Sequence, residues 1–437
     1  MAEELFQAAV AVVRRLRERG HEAYFAGGCV RDRLLGRPVA DYDVATGALP
    51  DHVLALFPRT VEIGKSFGVV TVLQGPHQVQ VATFRSDHSY LDGRRPEGVT
   101  FSDLRTDVER RDFTINGMMW DPLEDRIVDL VGGREDLSRR IVRAIGDPER
   151  RFSEDKLRIL RAVRFATVLE FDIDPETAEA IARHASDILQ VSWERIAQEL
   201  KKILVAPRRA EGLERMRALG LLRPILPECE AMVGVPQPPE FHPEGDVWTH
   251  TLVALRSLDS PSFVVALAVL LHDIGKPRTL EFADRIRFHG HDKLGARMAE
   301  EISDRLRLSC EEKEAVAWLV LRHLVFLNAD QMRESTLKRL FREPHIEELF
   351  QVIRADTLGS LAQPVAVERM RALRDRYAAE GLRPAPLLRG TDLIAMGYAP
   401  GPAFKEMLHD LEDAQLEGRL RTREEAIEHV RRAWPRI

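Results

Sequence analysis

Apolar residues recur every third or fourth position over residues 4–19, where Leu5, Ala9, Val12, Val13 and Leu16 line one side of a predicted helix. After Gly20 the texture changes to short apolar runs broken by Gly, Pro and Asp. Tyr24-Phe25-Ala26, Tyr42-Asp43-Val44, Val69 to Leu73 and Gln78 to Phe84 read as strands, so residues from about 20 to 130 form a small α/β unit. From Asp136 onward the pattern predicts helices alone, with helical spacing over Lys156 to Val168, Trp193 to Leu204 and Leu213 to Leu219. Pro236-Gln237-Pro238-Pro239, flanked by Gly234 and Gly245, predicts a linker. Another helical region follows it, and Arg383-Pro384-Ala385-Pro386 predicts a second break before a short C-terminal segment. The expected class is α+β, an α/β head followed by a long helical body.

Composition narrows this picture. At about 100–200 residues per domain, the 437 residues predict two to four domains, and 44% hydrophobic with 31% charged residues suits buried cores. The longest apolar run, Phe263 to Leu271, is nine residues, far below the ~20 that span a bilayer, so no membrane partner is expected. Met1 to Arg19 mixes charge and apolar residues without a cleavage signal. The cysteines are three and scattered (Cys29, Cys229, Cys310), which excludes a disulfide scaffold and a Cys-based zinc site. A cytoplasmic protein is expected. Lys and Arg number 64 against 70 Asp and Glu, a net charge of −6 that, taken whole, argues against a nucleic-acid partner. Local stretches argue the other way: Arg150-Arg151 through Lys156, Arg158, Arg161 and Arg164, and the terminal Arg419 to Arg423 with Arg431-Arg432. The terminal clusters read equally as a solvated helix face.

The most informative stretch is Gly27-Gly28-Cys29-Val30-Arg31-Asp32, followed by Leu34-Leu35-Gly36 and then Asp41-Tyr42-Asp43. Paired glycines after a strand let backbone N–H groups approach phosphate oxygens, and Arg31 supplies a planar, permanent charge. Asp41 and Asp43, two apart on a strand, share a face and offer hard oxygen ligands to Mg²⁺. Such ions activate a ribose hydroxyl and neutralise a leaving pyrophosphate. The whole stretch Gly27 to Thr46 resembles the class II tRNA nucleotidyltransferase and bacterial poly(A) polymerase family. Arg110-Arg111-Asp112, continuing to Asn116 and Met118, is similar to that family's ribose-recognition motif, and Glu154-Asp155-Lys156-Leu157-Arg158 to its amino-acid template for the incoming base. Asp129 to Leu137 and Arg161 to Phe165 match the connecting segments.

The resemblance implies a polymerase-β-like head and assigns roles residue by residue. Asp41 and Asp43 are the catalytic, Mg²⁺-binding pair. Gly27, Gly28 and Arg31 hold the triphosphate, Arg111, Asp112 and Asn116 meet the ribose, and Asp155 and Arg158 select the base, with Arg161 and Arg164 beside them. Asp155 and Arg158 are three apart on a predicted helix and so share a face, as would a solvated ion pair. A carboxylate accepts from the exocyclic amine of C or A while a guanidinium donates to the ring. One departure is Gln80, where family members often carry an acidic residue, so no third metal-binding carboxylate is assigned. The polar stretch Ser86 to Glu109, with Asp92-Gly93-Arg94-Arg95-Pro96, predicts a mobile loop. The resemblance makes it the element that lets the template switch from CTP to ATP and that CC-adding enzymes lack. Gly64-Lys65-Ser66-Phe67-Gly68-Val69-Val70 resembles the tRNA enzymes more than the Arg-rich poly(A) polymerases.

Downstream, His250, His272-Asp273 opening Ile274-Gly275-Lys276-Pro277, His291, His323 and Asp356 form a second constellation. Imidazoles with carboxylates suit a transition metal or a Mn- or Mg-type ion. The order resembles HD-superfamily phosphohydrolases: His250, His272, Asp273 and Asp356 match the core ligands, and His291, with His289 as rival, and His323 the additional pair. A divalent metal is implied, with Mn, Ni, Mg and Fe all open. The expected division is a nucleotidyltransferase head over 1–137, a helical neck and body over 138–235, an HD domain over 240–365 and a helical tail over 366–437. The expected activity is addition of C, C and A to tRNA 3′ ends from CTP and ATP, with an HD phosphohydrolase activity or a relic HD domain that supports tRNA binding. The alternatives are an A-adding enzyme, a poly(A) polymerase, or an HD phosphohydrolase acting on RNA ends.

Overall fold

In the computed structural model, residues 2–62, 65–87, 99–382 and 384–435 are described. The chain divides into two compact units, Met1–Glu230 with Arg305–Leu308, and Ala231–Asp304 with Ser309–Ile437. In the first, helix α1 (Ala2–Arg17) turns Ala9, Val12, Val13 and Leu16 inward, each 0% exposed, onto a seven-stranded mixed sheet. Its strands are β1 (Ala23–Ala26), β2 (Asp43–Thr46), β3 (Thr60–Val61), β4 (Val69–Gln74) and β5 (His77–Thr83). A two-stranded pair, β6 (Arg85–Asp87) with β7 (Val99–Phe101), stands apart, and β8 (Met119–Asp121) and β9 (Arg126–Val128) complete the sheet. The order is β3-β4-β5-β2-β1-β8-β9, with β2 and β5 parallel and the other pairs antiparallel. Phe6 of α1 stacks on Trp120 of β8, ring centroids 5.7 Å apart and planes 8° from parallel. Such pairs add about 0.5–1.5 kcal/mol beyond the area they bury.

β8 and β9, three residues each, are not among the strands that the hydrophobic pattern predicts. The stretch Ser86 to Glu109 also differs from a plain loop: its flanks are the β6–β7 pair and helix α2 (Leu104–Glu109), capped by Asp103. Asp92 to Pro96 and Gly64 lie outside the described residues. Beyond the head the chain is helical except for short pairs at Ile141–Val142 with Asp172–Ile173 and at Leu280–Phe282 with Ile286–Phe288.

The second unit is built on helices α3 (Val247–Arg256), α4 (Phe263–Leu271), α5 (His291–Arg305), α6 (Cys310–Arg322) and α7 (Ile346–Gly359). Seven of the nine residues of α4 are buried, each large side chain contributing about 1.5–3 kcal/mol, so the polar dyad that follows is held at the end of a fixed rod. In the Pro236 to Pro239 stretch, where a linker is expected, Pro236 and Pro239 are exposed and one residue is tied down. Gln237 is 4% exposed and its Oε1 accepts from Lys276 Nζ at 2.6 Å. Leu393, Met407, Leu411, Ala414, Ala426 and Val430 form a separate small core in the tail. No helix among the described residues is long and apolar enough to cross a membrane.

Candidate functional site

The head site begins where β1 ends. Gly27 has φ +76° and ψ −128°, a conformation that only glycine adopts without strain, and it turns the chain from β1 into the short helix Gly28–Leu34. Asp43 opens β2, opposite Ala26 of β1, whereas Asp41 lies two residues before the strand rather than on it. Both carboxylates are open at the surface. Protein packed behind Asp43, and after it the charge of Asp41, raises its carboxyl to about 6 against the pull of Arg111. Two carboxylates side by side invite a cation, and a hard divalent ion fits the donor set. Gln80 is exposed on β5, the strand paired with β2, where it offers an amide and no charge.

Arg31 is 9% exposed and its donors are engaged: Nε and Nη2 chelate Asp32 at 2.9 Å each, and Nη1 donates to Asn116 Oδ1 at 2.7 Å. Arg111 donates to Asp107 Oδ2 through Nη2 at 2.9 Å, while its Nη1 faces the α-carbon of Gly27. Asp112 is the hub. Its Oδ1 accepts from the Phe113 N–H at 2.8 Å and from Asn116 Nδ2 at 3.1 Å, and its Oδ2 accepts from Arg161 Nε at 2.9 Å. Burial alone would raise its carboxyl, but the Arg161 charge and the Asn116 bond hold it down at about 2. Asp112, Asn116, Arg31 and Arg161 thus form one network. The guanidinium carbons of Arg31, Arg161 and Arg164 surround the Phe165 ring at 5.2, 5.4 and 3.7 Å. Each of the three guanidiniums also pairs with a carboxylate, Arg31 with Asp32, Arg161 with Asp112 and Arg164 with Glu199, so their charge is partly balanced where they stand.

Because the folded pKa of Asp112 lies below the unfolded value near 3.9, its stabilisation is complete above pH 4 and is lost as pH falls through 2. The difference is about 2 kcal/mol. Denaturant unfolding of the protein and of Asp112→Asn should therefore show a gap that narrows by about that much between pH 5 and 2.

The base-template residues are arranged differently from the expectation. Asp155 is not on a helix with Arg158. It closes helix α8 (Pro148–Glu154) in an extended conformation, φ −139° and ψ 104°, and Arg158 sits in the first turn of the next helix, α9 (Leu157–Leu169). Asp155 pairs with Arg195 Nη2 at 3.0 Å, and Arg158 donates to Glu154 Oε2 at 2.8 Å and to the Arg110 carbonyl at 2.8 Å. The two side chains are therefore held by separate partners. Arg195, on helix α10 (Trp193–Val205), went unnoticed in the sequence because it lies 40 residues from Asp155. Glu199 of the same helix pairs with Arg164 at 2.5 Å. The basic run is thus balanced from within: Arg150 and Arg151 also pair with Glu154, at 3.2 and 3.1 Å.

In the second unit all six anticipated residues converge. His250 Nε2 lies 3.2 Å from His272 Nε2 and 3.0 Å from Asp356 Oδ1. His272 Nε2 lies 3.2 Å from Asp273 Oδ2, and His291 Nε2 and His323 Nε2 lie 3.5 and 3.8 Å from Asp273 Oδ1. Asp273 therefore faces two imidazole groups, one with each oxygen, and each group offers atoms close enough to hold one metal ion. His291, rather than His289, is the member. Burial would lower His272, yet Asp273 and then Asp356 lift it to about 10, whereas burial and then the His272 charge lower His323 to about 4. Proton and cation compete for such a site, and neutral imidazoles with carboxylates fit a divalent metal. A cavity of about 660 Å³ opens onto Asp273, His291 and Asp356, with Lys276, Arg285 and Arg287 among its walls.

A small mixed sheet with paired carboxylates, a glycine turn and guanidiniums behind it defines a nucleotidyltransferase, in a chain that also carries a cluster of histidines and aspartates able to hold a metal ion. The families that match are described as "Poly A polymerase head domain" over residues 23–143, "Probable RNA and SrmB- binding site of polymerase A" over 170–232, and "HD domain" over 247–360. A CCA-adding enzyme of Geobacillus thermodenitrificans is 33% identical over 426 residues, 97% of this chain and 95% of the relative. The chain belongs to the CCA-adding enzyme family. The CCA-adding enzyme of Geobacillus stearothermophilus is 45% identical over 217 residues, which is 49% of this chain and spans about half, 54%, of that relative's length. The crystal structure of the Bacillus stearothermophilus CCA-adding enzyme in complex with CTP is 30% identical, covers 98% of each chain and has a TM-score of 0.74.

Proposed function

We propose that this chain adds C, C and A to the 3′ end of tRNA from CTP and ATP, releasing pyrophosphate, in the cytoplasm. The observation that carries the reading is the arrangement of the Asp41 and Asp43 carboxylates and the Gly27 turn in a unit that also contains the arginines around Phe165. The reading is supported by near full-length likeness to enzymes of that name. Asp41 and Asp43 would hold Mg²⁺, which supplies charge neutralisation at the reacting phosphate. Gly27 and Gly28 give the triphosphate room, and Arg31, Arg161 and Arg164 attract it. Asp112 and Asn116, with Arg111 beside them, orient the ribose. Asp155 accepts from the amine of C or A and Arg158 donates to the ring, a pattern that U and G do not match.

The six residues of the second unit would hold a divalent metal, Mn, Ni, Mg or Fe, that supplies Lewis-acid chemistry for phosphoester hydrolysis. The convergence of their side chains on Asp273 supports that reading. To test the main activity, the full chain is incubated with tRNAs ending before C74, C75 and A76, each with CTP or ATP. Addition of C, C and A in that order is expected. Addition of A alone, or of a long A tail, would replace the reading with an A-adding enzyme or a poly(A) polymerase.

A further inference from the structure

We infer that Glu244 is a positioning residue that makes the two halves of the metal centre unequal, so that a first divalent ion is held by His250, His272, Asp273 and Asp356 and a second, more weakly, by Asp273, His291 and His323. This rests on reading those six residues as metal ligands.

Three of the four imidazoles are aimed by neutral backbone. His272, His291 and His323 donate from Nδ1 to the carbonyls of Val269, Phe288 and Val320 at 2.7, 2.8 and 2.7 Å, each acceptor three residues earlier on the same segment. His250 is different. Its Nδ1 lies 2.7 Å from Oε1 of Glu244, a carboxylate in the turn ahead of α3. A carboxylate behind an imidazole fixes its tautomer and makes the opposite nitrogen a stronger donor than a carbonyl does.

Glu244 is also unusual in its own surroundings. Its side chain is 3% exposed, Oε1 is shared with His242 Nδ1 at 2.9 Å, and Oε2 is buried without a hydrogen-bond partner. A buried carboxylate so sparsely satisfied is costly unless positive charge sits close by. The His250 half is where such charge would balance it, and no carboxylate outside the six ligands touches His291 or His323 among the described residues. Ligand count agrees. Two imidazoles serve each half, and Asp356 adds a second carboxylate to the His250 half alone, set against the Lys276 ammonium 2.7 Å from Asp273 Oδ2; ligand number, charge and rigidity set affinity at such sites. The His250 ring is also confined: a Cβ on Gly359 would meet its Cε1 at 2.8 Å, so the bare glycine of α7 shapes the slot it occupies.

The test uses the full chain in an Asp43→Asn background, so that bound ions report on this centre, stripped of metal and titrated with Mn²⁺ while free Mn²⁺ is followed by electron paramagnetic resonance. Two ions with affinities at least about tenfold apart are expected. Glu244→Gln and Glu244→Ala should weaken the tighter ion by about 10–100-fold and leave the weaker one unaltered, and Glu244→Gln should not lower the metal-free melting temperature. His291→Ala should remove the weaker ion and keep the tighter. Equal affinities in the parent, or both ions weakened alike by Glu244→Gln, would overturn the inference. Two ions bound with Glu244→Gln silent removes the positioning role and leaves the centre standing. No bound Mn²⁺ at all removes both.

Discussion

Asp43→Ala is expected to lose nucleotide addition by about a thousandfold or more while retaining tRNA binding and phosphoester hydrolysis, and His272→Ala is expected to do the reverse. The first effect follows from chemistry that needs charge neutralised at the phosphate. Asp43 stands beside Asp41, and burial, then the Asp41 charge, raises its carboxyl to about 6; removing one member leaves too little charge to retain a hard cation. The second follows from the burial of His272, whose Nε2 lies 3.2 Å from both Asp273 and His250. The two constellations lie in separate compact units, so the losses should not cross. The measurements are incorporation of labelled CTP and ATP, and opening of a 2′,3′-cyclic nucleotide by water to the nucleoside monophosphate. Full addition by Asp43→Ala would remove the metal assignment in the head, and loss of both activities in either variant would contradict their independence.

Arg158→Ala should relax base choice. In the folded chain the guanidinium is 7% exposed and fixed by Glu154, by the Arg151 carbonyl at 3.1 Å and by the Arg110 carbonyl. That leaves few orientations for the remaining donors, which is what discrimination by hydrogen bonding requires. Losing a donor built to pair with the base costs on the order of 10²-fold or more in the preference for CTP over UTP, with the total rate falling less. Incorporation of each of the four nucleotides into a tRNA ending before C74 measures this. Unchanged selectivity would rule out the base-reading role.

The head was readable where periodicity is complete. The face of α1 and the strands around Phe25, Val70 and Val81 follow from apolar spacing alone. The strand β2 begins at Asp43 rather than Tyr42 because Asp41 and Tyr42 precede its ladder with β1. The break at Asp155 was hidden. No Gly or Pro marks it, and the apolar positions Phe152, Leu157 and Leu160 continue across it. Arg195 and Glu199 were out of reach for a different reason. Their partners Asp155 and Arg164 lie far away in sequence, and an amphipathic helix carries no sign of which charge it answers. Likewise Glu244 sits in a Pro- and Gly-rich stretch that reads as a linker, and nothing in that stretch marks its side chain as buried against His250. The six clustered side chains were visible in order and type, while their meeting on the two oxygens of one aspartate is a property of the fold.

That meeting has an evolutionary consequence. Asp273 serves both imidazole groups, whereas His291 or Asp356 serves one. Six positions must be in place for the centre to arise, yet one substitution at 273 undoes both halves together. A lineage under no selection for the second unit's chemistry would lose it abruptly and keep the helices, since α4 is held by the apolar contacts of its own seven buried residues. Gain would be slow and loss a single step, which makes position 273 the one whose substitution would part the fold from the chemistry.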